Sequence, residues 1–246
     1  MKKVLIVIIG ITSLFICTSL AAKSLLIDGI AYETLSESTA AVVPIDGFKY
    51  YGKLIIPESI TVNDIQYSVV AIANSTFEKC YSLTEVTLPN TLVSIGESAF
   101  SYCHNLKYIT LPSSLEEIGA YAFSFCTKLT KIIIPGNVNV ISDRCFDSCS
   151  AIASVTIGSS VTNIRGHAFN KCVALQSIKI PANVKSISDY AFNDCEKLAT
   201  VTFANKDNVK VGQLAFVRTP YGNNNSSRGA AAKNDSRFKV KKSVTF

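Results

Sequence analysis

The chain has 246 residues, 48% of them hydrophobic and 17% charged, with a net charge of +6. That composition excludes an intrinsically disordered chain, which is charge-rich and apolar-poor. Two histidines leave little material for a histidine-based metal or acid–base site, and eight cysteines fall below a disulfide-scaffold composition.

In chain order, Met1-Lys2-Lys3 is a short positive region and Val4 to Cys17 an apolar core. Ser19-Leu20-Ala21 places small residues where a signal peptidase reads. Residues 1–21 are therefore read as a signal peptide, and the membrane is met only during export. An uncleaved anchor is the competing reading, because Val4 to Ala22 is just long enough to span a bilayer.

Residues 22–69 keep no period and are read as an N-terminal β-rich cap. Asp28-Gly29 between apolar segments predicts a two-residue hairpin, and Asn63-Asp64 marks a second. Leu54-Ile55-Ile56-Pro57 already resembles a strand ended by a proline.

From residue 70 to 219 the sequence repeats. Phe77, Phe100, Phe123, Phe146, Phe169 and Phe192 stand 23 residues apart. The cysteines Cys80, Cys103, Cys126, Cys149, Cys172 and Cys195 keep the same step, as does an isoleucine column from Ile72 to Ile187. So do Leu83, Leu106, Leu129, Ile152, Leu175 and Leu198. Pro89, Pro112, Pro135 and Pro181 follow, with Gly158 and Ala204 replacing proline. A 23-residue unit cannot bury a core alone, so it must stack on its neighbours as a solenoid. The segment Ile132 to Ile134 and its equivalents alternate as short strands, which pair in parallel about 4.8 Å apart from turn to turn. Ala215-Phe216 repeats the motif one residue late, with Thr219 in the cysteine place. Residues 220–246 are read as a basic, flexible tail. Residues 206–246 carry 9 basic and 2 acidic side chains, against 13 and 16 over residues 22–205. The main body is therefore no nucleic-acid surface.

The phrase A-F-x-x-C-x-x-L-x-x-I-x-I-P, as in Gly119-Ala120-Tyr121-Ala122-Phe123-Ser124-Phe125-Cys126, resembles the BspA-like family of type-5 leucine-rich repeats. The resemblance runs from Val70 to Phe216. It implies a leucine-rich repeat, right-handed β-solenoid with a parallel sheet of short strands. It implies a secreted or cell-surface binding protein, without enzyme activity or cofactor. Thr76 and Cys145 depart from the alanine column.

Candidate sites follow from the frame. Core columns face inward, so the outward strand positions are the candidate binding face. One row is Glu85, Tyr108, Lys131, Ser154, Ser177 and Thr200; the next is Thr87, Thr110, Ile133, Thr156, Lys179 and Thr202. Threonine suits any exposed strand, so Tyr108, Lys131, Ile133 and Lys179 carry the argument. A second aromatic patch is expected from Tyr81, Tyr102, Tyr121 and Phe125, either as a contact surface or as a shield for the cysteine column. The six column cysteines are expected to be structural, as buried packing thiols, with bridges between adjacent rungs the alternative. A linear ladder diverges ligands, so no metal is expected. His167 is read as a solvated side chain, and no catalytic residues are assigned. The expected partner is a protein or glycan of a cell surface or matrix, bound by a monomer. The place is the cell exterior, with the periplasm possible. A structural role in the envelope and, remotely, an enzyme or accessory subunit are the alternative readings.

Overall fold

The computed structural model describes residues 24–224. The expected signal peptide and residues 225–246 of the expected 220–246 tail lie outside the described residues; the first residues of that tail, Pro220–Asn224, form a short helix whose Tyr221 packs on Phe216. The cap holds β1 (Leu25–Ile27), β2 (Ile30–Thr34), β3 (Thr39–Val42), β4 (Gly52–Ile55), β5 (Ser59–Val62) and β6 (Ile65–Ile72). Both expected hairpins form: Ile27 faces Ile30 across Asp28-Gly29, and Val62 faces Ile65 across Asn63-Asp64. All four turn residues have positive φ, from 48 to 82°. A two-residue turn needs that conformation to match the twist of its strands.

Beyond the cap each turn contributes two strands. The longer ones are β7 (Leu83–Thr87), β9 (Tyr108–Ile109), β11 (Lys131–Ile133), β13 (Ser154–Thr156), β15 (Ser177–Ile180) and β17 (Thr200–Phe203). Between them lie two-residue strands: β8 (Ser94–Ile95), β10 (Glu117–Ile118), β12 (Val140–Ile141), β14 (Asn163–Ile164), β16 (Ser186–Ile187) and β18 (Lys210–Val211). Pairing is parallel within each set, in the order β4-β7-β9, β11-β13 and β15-β17 on the first face. The order β6-β8-β10 and β12-β14-β16-β18 makes a second face. Strand β6 joins cap to solenoid, pairing with β3 along one edge and with β5 and then β8 along the other. Ile178 faces Val201, 23 residues on, whereas Ile187 faces Val211, 24 on. The 3-10 turn Lys206–Asn208 absorbs the extra residue.

A third ladder runs along the turns around the phenylalanines. Ser75, Phe77 and Lys79 donate their backbone N–H groups to the carbonyls of Glu97, Ala99 and Ser101 on the next rung, each at 2.8 Å. Ser98, Phe100 and Tyr102 do the same to Ala120, Ala122 and Ser124. Every donor in this ladder points toward the C-terminal end. The geometry needs alternate residues in the left-handed region: φ is 54° at Ser75, 59° at Lys79, 58° at Tyr121 and 59° at Phe125. None of these is glycine, so each position costs about 1–2 kcal/mol of backbone strain. The inter-rung hydrogen bonds, about 0.5–1.5 kcal/mol each, offset it.

The core is a set of columns, and the phenylalanines form its spine. Adjacent rings from Phe77 to Phe216 lie 5.0 to 5.4 Å apart and within 19° of parallel. Tyr50 of the cap closes one end edge-on at 5.0 Å. Tyr221, on the short helix α1 (Pro220–Asn224), closes the other edge-on at 5.1 Å.

The column cysteines are buried and free, as is Cys145. Their chemistry explains why the slot is not simply alanine. Each Phe carbonyl accepts the N–H of the cysteine three residues on, as Phe100 does from Cys103. It also accepts the thiol of the next rung: Cys126 Sγ donates to Phe100 O at 3.2 Å, and Cys149 Sγ to Phe123 O at 3.0 Å. A thiol is small and apolar enough for the core and still satisfies a second lone pair. Burial holds these thiols protonated; that of Cys195 is pushed up to about 12.

Two expected outcomes follow. Phe123→Ala removes a ring stacked on both sides and lowers stability by about 3–5 kcal/mol, read from denaturant midpoints; an unchanged midpoint would remove the spine from its central role. The ladder thiols stay unlabelled by a maleimide in the native state and react on denaturation, as residue-resolved mass spectrometry would show.

Candidate functional site

The strand face is built by the longer strands, whose alternate residues point in and out. Leu129, Ile132 and Ile134 go inward, while Lys131 and Ile133 stand in solvent. The two predicted rows fall into register. Glu85 lies opposite Tyr108, Lys131 opposite Ser154 and Ile133 opposite Thr156. Ser177 lies opposite Thr200, and Lys179 opposite Thr202. Thr87 and Thr110 are exposed in the second row, Thr110 just past the end of β9. Tyr108 is 62% exposed and Ile133 50%, large values for such side chains on an ordered strand. Lys131 and Lys179 make no ion pair among the described residues.

Sequence reasoning missed the first rung of this face. Strand β4 pairs in parallel with β7, setting Lys53 beside Glu85 and Ile55 beside Thr87. Lys53 Nζ bonds Glu85 at 2.8 Å, which half-buries that carboxylate and takes it out of play as a free contact. Ile55 is 71% exposed and extends the second row upward. The strand-plus-proline phrase at Leu54 to Pro57 was the available signal.

The aromatic patch resolves into two rows on the left-handed turn positions. Tyr102 and Phe125 stack at 4.6 Å and 5°, and His104 packs against Tyr102 and Tyr81. Tyr121 belongs to the other row. There the Arg144 guanidinium sits 5.9 Å over the Tyr121 ring, and His167 stacks on Tyr190 at 5.0 Å and 8°. His167 is thus half-buried, not a freely solvated side chain as its variable column implied. Its Nδ1 is buried with no hydrogen-bond partner among the described residues. Burial, then the Arg144 charge, pushes its pKa below the ordinary 6.5, opposed by Asp147 and Asp143.

Behind this row runs a buried polar ladder. Arg144 bonds Asp147 at 3.2 Å, Asn170 Nδ2 donates to Asp147 at 2.8 Å, and Asn193 Nδ2 to Asn170 at 2.6 Å. The same turn position repeats on each rung, so one amide satisfies the next. No group of three or more His, Cys, Asp or Glu side chains gathers as metal ligands among the described residues.

Short parallel strands at a 23-residue step around a closed column core define a leucine-rich repeat solenoid. The BspA type leucine rich repeat region matches in six copies, over residues 56–175 and 162–227, and the chain belongs to that family. Three solved structures are similar. A leucine rich cell surface protein from Faecalibacterium prausnitzii is 29% identical with a TM-score of 0.60, covering 76% of this chain. A leucine-rich repeat protein from Bacteroides ovatus is 31% identical with a TM-score of 0.62, covering 78%. This chain spans 56% of the length of each of those two. The leucine rich repeat protein of T. pallidum is 28% identical with a TM-score of 0.67, covering 78% of this chain and 88% of its own. No curated protein matches the sequence.

His167 yields a pH prediction. Its pKa is depressed in the fold, so the folded state binds fewer protons than the unfolded one below about pH 6.5. Stability is therefore present at neutral pH and falls as pH drops below 6.5. The difference in denaturant midpoint between pH 8 and pH 5 should shrink in His167→Gln; an identical difference in variant and wild type would contradict this.

Proposed function

We propose that this chain is an exported, non-catalytic binding protein of the cell surface, adhesin-like, recognising a protein or glycan through the strand face. One observation carries the reading. Tyr108, Lys131, Ile133 and Lys179 are exposed and make no ion pair among the described residues, and they stand on three short parallel ladders along one side of a continuous core. Amphipathic side chains held at fixed spacing suit a large partner, since little conformational entropy is lost on contact. A relative's description as a cell surface protein supports the location. The apolar leader of residues 4–17 supports export. Closure of both ends of the spine by Tyr50 and Tyr221 argues against end-to-end stacking as an envelope scaffold.

The test is a binding screen of the full chain against extracellular matrix proteins and surface glycans. It is run beside a variant with Tyr108, Lys131, Ile133 and Lys179 replaced by alanine. A specific hit that the variant loses, at unchanged stability, is the expected result; a hit that it keeps would move the site off this face.

A further inference from the structure

The second face, built by the two-residue strands, carries a groove that the strand-face reading does not use. It spans the rungs of β12, β14, β16 and β18 as a shallow, solvent-open groove of about 1010 Å³. Its lining is five asparagines, three hydroxyl residues, two lysines and the small apolar Ala182 and Val184, with no carboxylate and no aromatic ring. Asp207 neighbours Asn208 in sequence but stays outside the lining.

Within the groove the polar groups divide into two kinds. The floor is internally satisfied: Thr162 Oγ1 bonds Asn163 Oδ1 at 2.7 Å, and Asn163 Nδ2 donates to Ser186 Oγ at 2.6 Å. The walls are not. The side chains of Asn139, Asn205 and Asn208 make no hydrogen bond among the described residues. Lys185 and Lys210 make no ion pair there. They stand on adjacent rungs, where the Lys210 N–H donates to the Lys185 carbonyl at 2.8 Å. The register sets Lys210 opposite Ser186, the residue after Lys185, so both lysines line the groove, and neither is paired with a carboxylate among the described residues. The chain outside the described residues begins at this same end, and residues 225–246 carry 6 basic side chains and 1 acidic.

We propose that this groove binds an acidic oligosaccharide. Its sulfate or carboxylate groups seat between Lys185 and Lys210, and its hydroxyls exchange hydrogen bonds with Asn139, Asn205 and Asn208. An amide donates and accepts, as a sugar hydroxyl does, whereas an ammonium only donates, which suits an anion. Ala182 and Val184 are the apolar residues of the lining and carry no ring or long aliphatic side chain, so the groove has no deep apolar pocket for the side chains of an acidic peptide. The site lies on a different face from Tyr108 and Lys131 and does not depend on that reading.

The test uses the full chain and calorimetric titration with a sulfated glycosaminoglycan hexasaccharide. Its desulfated counterpart and a polyglutamate of equal charge serve as controls. Lys185→Ala with Lys210→Ala should weaken binding of the sulfated sugar by about tenfold or more. Asn139→Ala with Asn208→Ala should weaken it by a smaller factor. The strand-face variant should bind it as wild type does, so failure of one site is distinguishable from failure of the other. All of these positions face solvent, and an unchanged denaturant midpoint shows that the fold is kept. Full affinity in the lysine pair would overturn the proposal. So would equal binding of polyglutamate, or loss confined to a variant with Lys239, Lys241 and Lys242 replaced by glutamine. Absence of any binding to the sulfated sugar would also overturn it.

Discussion

The distance between rungs governs this molecule. Parallel strands repeat at about 4.8 Å, and stacked aromatic rings are comfortable only slightly further apart. A phenylalanine in the same place on every turn satisfies both at once, and the rings at 5.0 to 5.4 Å show the match. Any residue in phase with them is forced into a column of its own kind. Such a column must be good company for itself: thiols that donate down the axis, amides that donate to amides, aliphatic side chains that interlock. Carboxylates repeated in phase inside would repel, and the one buried in the polar ladder, Asp147, is flanked by Arg144 and the Asn170 amide.

This division of labour separates stability from recognition. The inward columns vary little along the chain, because each is constrained by its neighbours above and below. The outward rows run Glu, Tyr, Lys, Ser, Ser, Thr and Thr, Thr, Ile, Thr, Lys, Thr, a pattern with no self-complementary logic. They are free to answer to something outside the chain. The left-handed turn positions fall between the two regimes. Their backbone is fixed by the third ladder, but their side chains range from Ser75 to Arg144 to Tyr190 and stack where chemistry allows.

The sequence made the columns visible because in-phase identity is a strong signal, and the cap hairpins because Asp-Gly and Asn-Asp sit between apolar runs. Other features left fainter traces. The second sheet is made of two-residue strands, too short to show alternation, so only its isoleucine column could be read. The left-handed positions hold no glycine to announce them; the interlocking N–H ladder that stabilises them is a property of stacked turns. The first rung of the strand face was hidden because Lys53 stands 32 residues before Glu85, out of phase with the repeat, across an irregularity at Gly52. His167 looked solvated because its column varies. Its burial comes from Arg144 and Tyr190, one rung to either side, which a single repeat cannot reveal.

The third ladder has an electrical consequence. Its peptide groups all point their N–H the same way along the axis, three per turn except at His167, where two are made, unlike the alternating groups of the strands. Peptide dipoles of about 3.5 D in head-to-tail files about 5 Å apart leave roughly 0.4 of an elementary charge at each end of three files. This is comparable to an α-helix, although the described residues hold only one of five residues. The carbonyl end faces the cap, where the Lys49 ammonium donates to Glu78 O at 2.7 Å and answers it. The opposite end presents amide hydrogens where the chain turns basic. Because the end charge depends on the number of files and not on their length, a longer array of the same repeat would carry the same polarity at its two ends, merely further apart.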